Sequence, residues 1–271
     1  MRKRRMDIKF FYKISLAEGE GVGTAYEYCA KLRRLWKFID AIAMAKRILI
    51  AGLPEKFGYS MDFILLSEIL DGQVLVIDER ADRIGGAQRC LRDLSSMGIL
   101  SGTGARFSQV DDLGRIDRER LDGERFDLAL SCEVLQRVNS SKEDYFSFLR
   151  EAARSYAVFV PNGGNAAHAD HSGLKGMHLH ELLKYCRLGN SKMRIYDCGL
   201  LDMPPFPPGV SRSQERREQA AGSRLEGFLM KALELHSSIE GLFPRCLKVR
   251  AAHIAYLMAA RSDFGKAHNA N

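Results

Sequence analysis

Five short apolar runs constrain this chain more than any other feature, each closed by a glycine, an acid or a proline and each separated from the next by an amphipathic stretch. They are Arg47 to Gly52, Val74 to Ile77 before Asp78, Ala105 to Val110 before Asp111 and Asp112, Phe126 to Ser131, and Ala157 to Val160 before Pro161. Runs this short and apolar read as strands buried on both faces. The text between them has helical spacing. From Thr24 to Ala45, Tyr28, Leu32, Leu35, Ile39 and Ile42 recur at three- and four-residue steps, and Ser60 to Leu70, Ala81 to Met97 and Lys142 to Arg154 read the same way. Buried strands alternating with helices predict parallel pairing, because the crossover helices must cover both faces of the sheet. The expected architecture is a doubly wound α/β domain, in which ligands bind beyond the carboxyl ends of the strands.

The charge distribution narrows the partner. The 271 residues carry a net +7, but residues 1–13 hold six basic groups against Asp7, so the rest of the chain is only +2. A nucleic-acid face needs its Lys and Arg clustered within the folded part, so no nucleic-acid partner is expected. Residues 1–20 read as a basic tail. Met1-Arg-Lys-Arg-Arg opens like a signal peptide, but Asp7, Lys9, Lys13, Glu18 and Glu20 break up the apolar core that export requires. The six cysteines are scattered with no CxxC pair, which argues against a zinc knuckle and, without export, against a disulfide framework. No run is long enough to span a membrane, so a cytoplasmic chain with reduced thiols is expected.

The strand ends then define a ligand. Gly52 opens a turn, Asp78 is placed to accept from two ribose hydroxyls, and Asp111 is placed to accept from an exocyclic amine. A carboxylate for a ribose beside a loop lacking a phosphate cradle describes an adenosine whose neighbour is not a pyrophosphate. An NAD site requires Gly-x-Gly-x-x-Gly at this turn, and the second and third glycines are missing.

In order and spacing, residues 21 to 200 resemble the class I SAM-dependent methyltransferases. Phe126-Asp-Leu-Ala-Leu-Ser-Cys-Glu-Val-Leu-Gln-Arg-Val138 is similar to that family's fourth-strand segment, Val74 to Asp78 to its second strand, and Gly21-Val-Gly-Thr-Ala-Tyr-Glu27 to the segment that precedes its first. The resemblance implies a seven-stranded, mostly parallel sheet with helices on both faces. Lys192 to Asp197 would be the sixth strand, Arg250 to Met258 an antiparallel seventh, and Met177 to Cys186 a helix before them. The implied organisation is a SAM-binding domain over 21–203, a helical insertion over 204–248 serving as a lid or homodimer contact, and a last strand and tail over 249–271. SAM is the implied cofactor. Asp78 would hold the ribose, Asp111 the adenine amine, and Gly52 and Gly58 the methionine end, with Glu79, Asp112, Ser131 and Glu133 beside them at the same strand ends. The chain departs from the family at the glycine-rich loop, where Gly52-Leu-Pro-Glu-Lys-Phe-Gly58 replaces Gly-x-Gly-x-Gly.

Four of the seven histidines fall in His168-Ala-Asp170-His171 and the following His178 and His180. A general base at His168 or His171 with Asp170 fixing its tautomer is one reading; a metal held by the same three residues is another, and a plain polar loop is the third. Cys132 occupies a strand end where a nucleophile is conceivable, but Ser131-Cys132-Glu133 lacks the Pro-Cys of a cytosine methylase, and a buried thiol is expected. The implied reaction is methyl transfer to a small-molecule oxygen, nitrogen or carbon. Two alternatives are a methyltransferase-like scaffold that has lost SAM and, resting only on the basic first residues, an RNA methyltransferase.

Overall fold

The computed structural model describes residues 7–42, 45–116, 121, 125–188, 192–203, 205 and 224–262. Among these, seven strands form one sheet in the order β3-β2-β1-β4-β5-β7-β6. The strands are β1 (Arg47–Ala51), β2 (Gln73–Asp78), β3 (Ala105–Gln109), β4 (Phe126–Cys132), β5 (Ala153–Pro161), β6 (Met193–Leu201) and β7 (Ile254–Arg261). The pairs β1–β2, β1–β4, β2–β3 and β4–β5 are parallel, and β7 is antiparallel to both β5 and β6. The expected doubly wound, mostly parallel seven-stranded sheet is the fold observed.

Strand periodicity divides the core in two. Ile48, Ile50, Val74, Val76, Leu128 and Leu130 face one layer, while Leu49, Ala51, Leu75, Ile77 and Ala129 face the other. Helices α1 (Ile8–Ala17), α2 (Val22–Ile42), α3 (Met61–Ile69) and α4 (Ala81–Ser96) supply buried side chains to the first layer. Helices α5 (Lys142–Ala152) and α7 (Leu179–Arg187) supply the second. The short α6 (Ala166–Ser172) lies between β5 and α7, and α8 (Arg224–Ile239) and α9 (Arg245–Ala251) precede β7. Asp127 has a structural role: its Oδ2 accepts from the amides of Lys46 and Arg47 at 3.1 and 3.0 Å, which fixes β1 against β4.

Two boundaries differ from expectation. Residues 1–20 are not a tail throughout. Asp7 caps α1, whose Ile8, Phe11 and Ile14 are fully buried, because those three residues form an apolar stripe among the charges. The expected seventh strand starts late: Arg245–Ala251 is helical, and pairing with β5 and β6 begins at Ile254. The proline run and the first half of the 204–248 insertion lie outside the described residues, apart from Pro205. No helix among the described residues is long and apolar enough to cross a membrane.

Candidate functional site

The carboxyl ends of β1, β2 and β4 converge, and the residues expected to hold an adenosine meet there. Asp78 closes β2 and is fully buried. Its Oδ1 accepts from the Arg80 amide and Nε, both at 2.9 Å. Its Oδ2 accepts from the Leu53 amide at 2.6 Å, from Arg137 Nη2 at 2.6 Å and from Arg80 Nη2 at 3.1 Å. A carboxylate has about four lone-pair sites, and these donors fill them. Burial pushes the Asp78 carboxyl up, but Arg80, Arg137 and the Leu53 amide together hold it below its ordinary value.

The same arginines fix the loop. Arg80 Nη2 and Arg137 Nη2 donate to Leu53 O at 2.9 and 3.0 Å, Arg80 Nη2 reaches Pro54 O at 3.2 Å, and Arg83 Nη2 donates to Pro54 O at 3.3 Å and to Gly58 O. Lys56 Nζ donates to Ser172 O. Gly52 has φ +91°, and a Cβ there would stand 2.9 Å from Leu113 Cδ1 and from both Val134 methyls. At the far end of the loop, Glu18 accepts from the Tyr28 hydroxyl at 2.5 Å and the Tyr59 amide at 2.6 Å, and burial pushes its carboxyl up to about 8.

The other expected cofactor residues are also engaged. Glu79 accepts from the Leu113 amide at 3.0 Å and from Arg137 Nη1 at 3.1 Å. Asp112 accepts from the Gly114 amide within its own turn, and Asp111 is exposed. Ser131 is buried and accepts from the Tyr145 hydroxyl at 2.8 Å. Glu133 is buried at φ +54°.

The fold family implies SAM, and these side chains do not fit it in the family's manner. The ribose acid has no acceptor capacity left, and Leu113 and Val134 fill the space over Gly52. At Gly58, with φ +65°, a Cβ would meet the Tyr28 hydroxyl and the Glu18 carboxylate, so the glycine is required by the packing of the loop.

A second polar group lies on the other half of the sheet edge. Leu201 of β6 pairs with Ile254 of β7, so the next residues outward, Asp202 and His253, face one another. The His253 amide donates to Asp202 O at 2.9 Å, and His253 Nδ1 meets Asp202 Oδ2 at 3.0 Å. Burial depresses the imidazole, but the Asp202 charge and hydrogen bond, with Glu27 and Glu240 beyond, lift it above its ordinary value. The His168 ring stacks on His253 at 4.2 Å, and burial together with the His253 charge pushes it down to about 3. Lys31 of α2, only 1% exposed, pairs with Glu27 at 2.8 Å and Asp62 at 3.2 Å.

The expected His168–Asp170–His171 unit is not assembled. The segment is helix α6 rather than a loop, and it points His168 inward while Asp170 and His171 are exposed. Asn162 and Asn165 build the turn: their side-chain amides donate to the Val249, Ala251 and Ala252 carbonyls before β7. No group of three or more His, Cys, Asp or Glu among the described residues is placed to hold a metal. Cys132 is buried, which raises its thiol well above the ordinary value, and it accepts from Lys31 Nζ at 3.4 Å.

Sequence reasoning missed Arg80, Arg137, Lys31, Asp202 and His253. Arg137 lies inside the fourth-strand segment and Arg80 two residues past Asp78, so both are sequence neighbours of the strand ends they close. Asp202 and His253 are 51 residues apart and meet only through strand register.

No protein-family profile matches the chain, and no curated protein matches it. Solved structures do. The [4+2]-cyclase SpnF superposes with a TM-score of 0.53 at 16% identity, covering 86% of this chain and 80% of that one. An O-methyltransferase segment of StiE gives 0.48 at 14% identity over 88% and 76%, and geranyl diphosphate methyltransferase gives 0.47 at 12% over 84% and 77%. Sheet order, the antiparallel β7 and the likeness to SpnF together show the doubly wound seven-stranded fold that the resemblance to the class I SAM-dependent methyltransferases implied.

Proposed function

We propose that this chain is a methyltransferase-fold binding protein whose adenosine position is closed by its own arginines and which does not transfer methyl groups from SAM. One observation carries this reading: the fully buried Asp78 carboxylate is saturated by Arg80, Arg137 and the Leu53 amide. A ribose hydroxyl can reach it only by displacing a guanidinium from a buried pair, which costs several kcal/mol. Fold does not imply activity, and the likeness to SpnF, which is named for a cyclisation, extends to the fold alone.

A second reading has its own observation. Arg137 holds both Asp78 and Glu79, so one side-chain movement removes a guanidinium from two acids at the ribose position at once. On that reading the chain is a SAM-dependent methyltransferase for a small-molecule acceptor, closed until SAM binds.

Calorimetric titration of the full chain with SAM and with S-adenosylhomocysteine, on wild type and Asp78→Asn, separates the two. The first reading expects no saturable heat at millimolar ligand. Micromolar binding that Asp78→Asn weakens by about tenfold or more, roughly 1.4 kcal/mol, would overturn it in favour of the second.

A further inference from the structure

A cleft of about 410 Å³ lies between α2 and the turn from α8 to α9, beyond the end of β6. That volume falls in the range of small-molecule sites, about 300–1,000 Å³. Its charge is one-sided. Ala30, Arg33, Arg34 and Lys37 stand at i, i+3, i+4 and i+7 of α2, so three cations share one helix face. Lys248 of α9 brings a fourth cation to the same cleft. Glu240 is the one acid among the described residues lining it, and its carboxylate accepts from the buried Tyr26 hydroxyl at 2.5 Å.

No carboxylate among the described residues pairs with any of the four cations. Arg33 Nη1 donates to Ser237 Oγ at 2.5 Å, Lys248 Nζ donates to Gly241 O at 3.1 Å, and the Arg34 guanidinium lies over the Tyr256 ring at 6.0 Å. These partners are all neutral, so each cation keeps its charge and most of its N–H donors. Lys37 is exposed. Beyond residue 13 the chain is only +2, yet here the fold gathers four cations against one acid from positions more than 200 residues apart. Like charges at helical spacing repel one another, and an anion relieves that repulsion.

The kind of anion follows from the lining. A single carboxylate leaves most of the charge unmet. A diphosphate brings several charges and many acceptor oxygens, which two arginine forks and two ammonium groups match. The half-buried Trp36 and the buried Leu201 add apolar surface that an inorganic ion does not use. With α2 on one side and the turn after α8 on the other, the cleft has room for a small molecule rather than a strand of nucleic acid.

We propose that this cleft binds a small organic diphosphate, whose phosphates meet Arg33, Arg34, Lys37 and Lys248 and whose organic part lies against Trp36. The proposal goes beyond the reading of the adenosine position as closed. Four strands separate the end of β6 from Asp78 at the end of β2, about 24 Å at the usual strand spacing, so its test and the SAM titration fail independently.

Trp36 is the only tryptophan among the 271 residues, so tryptophan fluorescence reports on this cleft. The experiment titrates the full chain at pH 7 with uridine diphosphate, pyrophosphate, uridine and an oligouridylate, on wild type and on the double variant Lys37→Gln with Lys248→Gln. A saturable fluorescence change with uridine diphosphate is expected, with affinity lower by about tenfold for pyrophosphate and in the double variant, and no response to uridine. No saturable change at millimolar uridine diphosphate, an equal response to uridine, pyrophosphate binding as tightly as uridine diphosphate, or wild-type affinity in the double variant would overturn the proposal. Oligouridylate binding more tightly than uridine diphosphate would overturn it in favour of a nucleic-acid surface. Should the double variant fail to fold, the exposed substitution Lys37→Gln alone is expected to weaken uridine diphosphate by about threefold, and wild-type affinity there refutes the proposal.

Discussion

Replacing Arg137 with alanine tests the closed site directly. Arg137 contributes three contacts: to Asp78 at 2.6 Å, to Glu79 at 3.1 Å and to Leu53 O at 3.0 Å, with its side chain only 10% exposed. Removing one partner of a buried pair costs about 3–5 kcal/mol. Arg80 still covers both Asp78 oxygens, so the lower figure, about 3 kcal/mol, applies. For a chain of this size about 2–4 °C of melting temperature is lost per kcal/mol, which predicts a fall of about 6–12 °C in a calorimetric scan. The pH dependence follows from the lowered Asp78 carboxyl. A depressed acid contributes stability that is present above its unfolded value and is lost as pH falls through the folded one. The gap between wild type and variant should therefore hold across pH 5–8 and narrow below about pH 4. Adding Asp78→Asn closes a double-mutant cycle, in which a coupling of at least about 1 kcal/mol is expected. A melting shift under about 2 °C, or additive single and double variants, would refute the argument that Arg137 and Asp78 form one buried unit.

Two further outcomes follow from the packing. Lys31→Met leaves Glu27 and Asp62 without their cation and should cost about 3–5 kcal/mol at pH 8 by denaturant unfolding. Burial already pushes Asp62 up to about 6 even with Lys31 beside it, so protonation should relieve much of that loss at pH 5; a cost independent of pH would contradict it. Gly52→Ala places a methyl 2.9 Å from Leu113 and Val134 at φ +91° and should destabilise by about 2–4 kcal/mol. A melting temperature matching wild type would mean that the space over Gly52 is open, which would return the loop to cofactor binding.

The strands were legible because buried parallel strands have little freedom: Leu49 and Ile50 must face opposite layers, so nearly every position in β1 is apolar. The ends of β2 and β4 were found for the same reason, and Asp78 stands where a strand-end acid was expected. What it touches was not legible. Its donors come from residues 2, 25 and 59 positions away, and the choice between a ribose and a guanidinium depends on rotamers that no spacing encodes. The histidine run misled because adjacency in sequence suggested adjacency in space. Once Asn165 caps α6 through the His168 amide, residues 168 and 170 face different ways. The first helix was hidden by its charges, since Ile8, Phe11 and Ile14 stand among lysines and an acid.

The place of β7 between β5 and β6 governs the order in which the molecule can assemble. Strands β1 to β5 need nothing after Pro161 to complete their parallel ladder. Strand β6 does not pair with them; its neighbour is β7, more than 50 residues later in the chain. During synthesis at about 5–20 residues per second, β6 therefore waits several seconds with both edges unpaired. Asp202 and His253 belong to that last closure, so their pair is the final part of this sheet edge to form. A nascent chain arrested before residue 253 would carry the arginine-closed half without it.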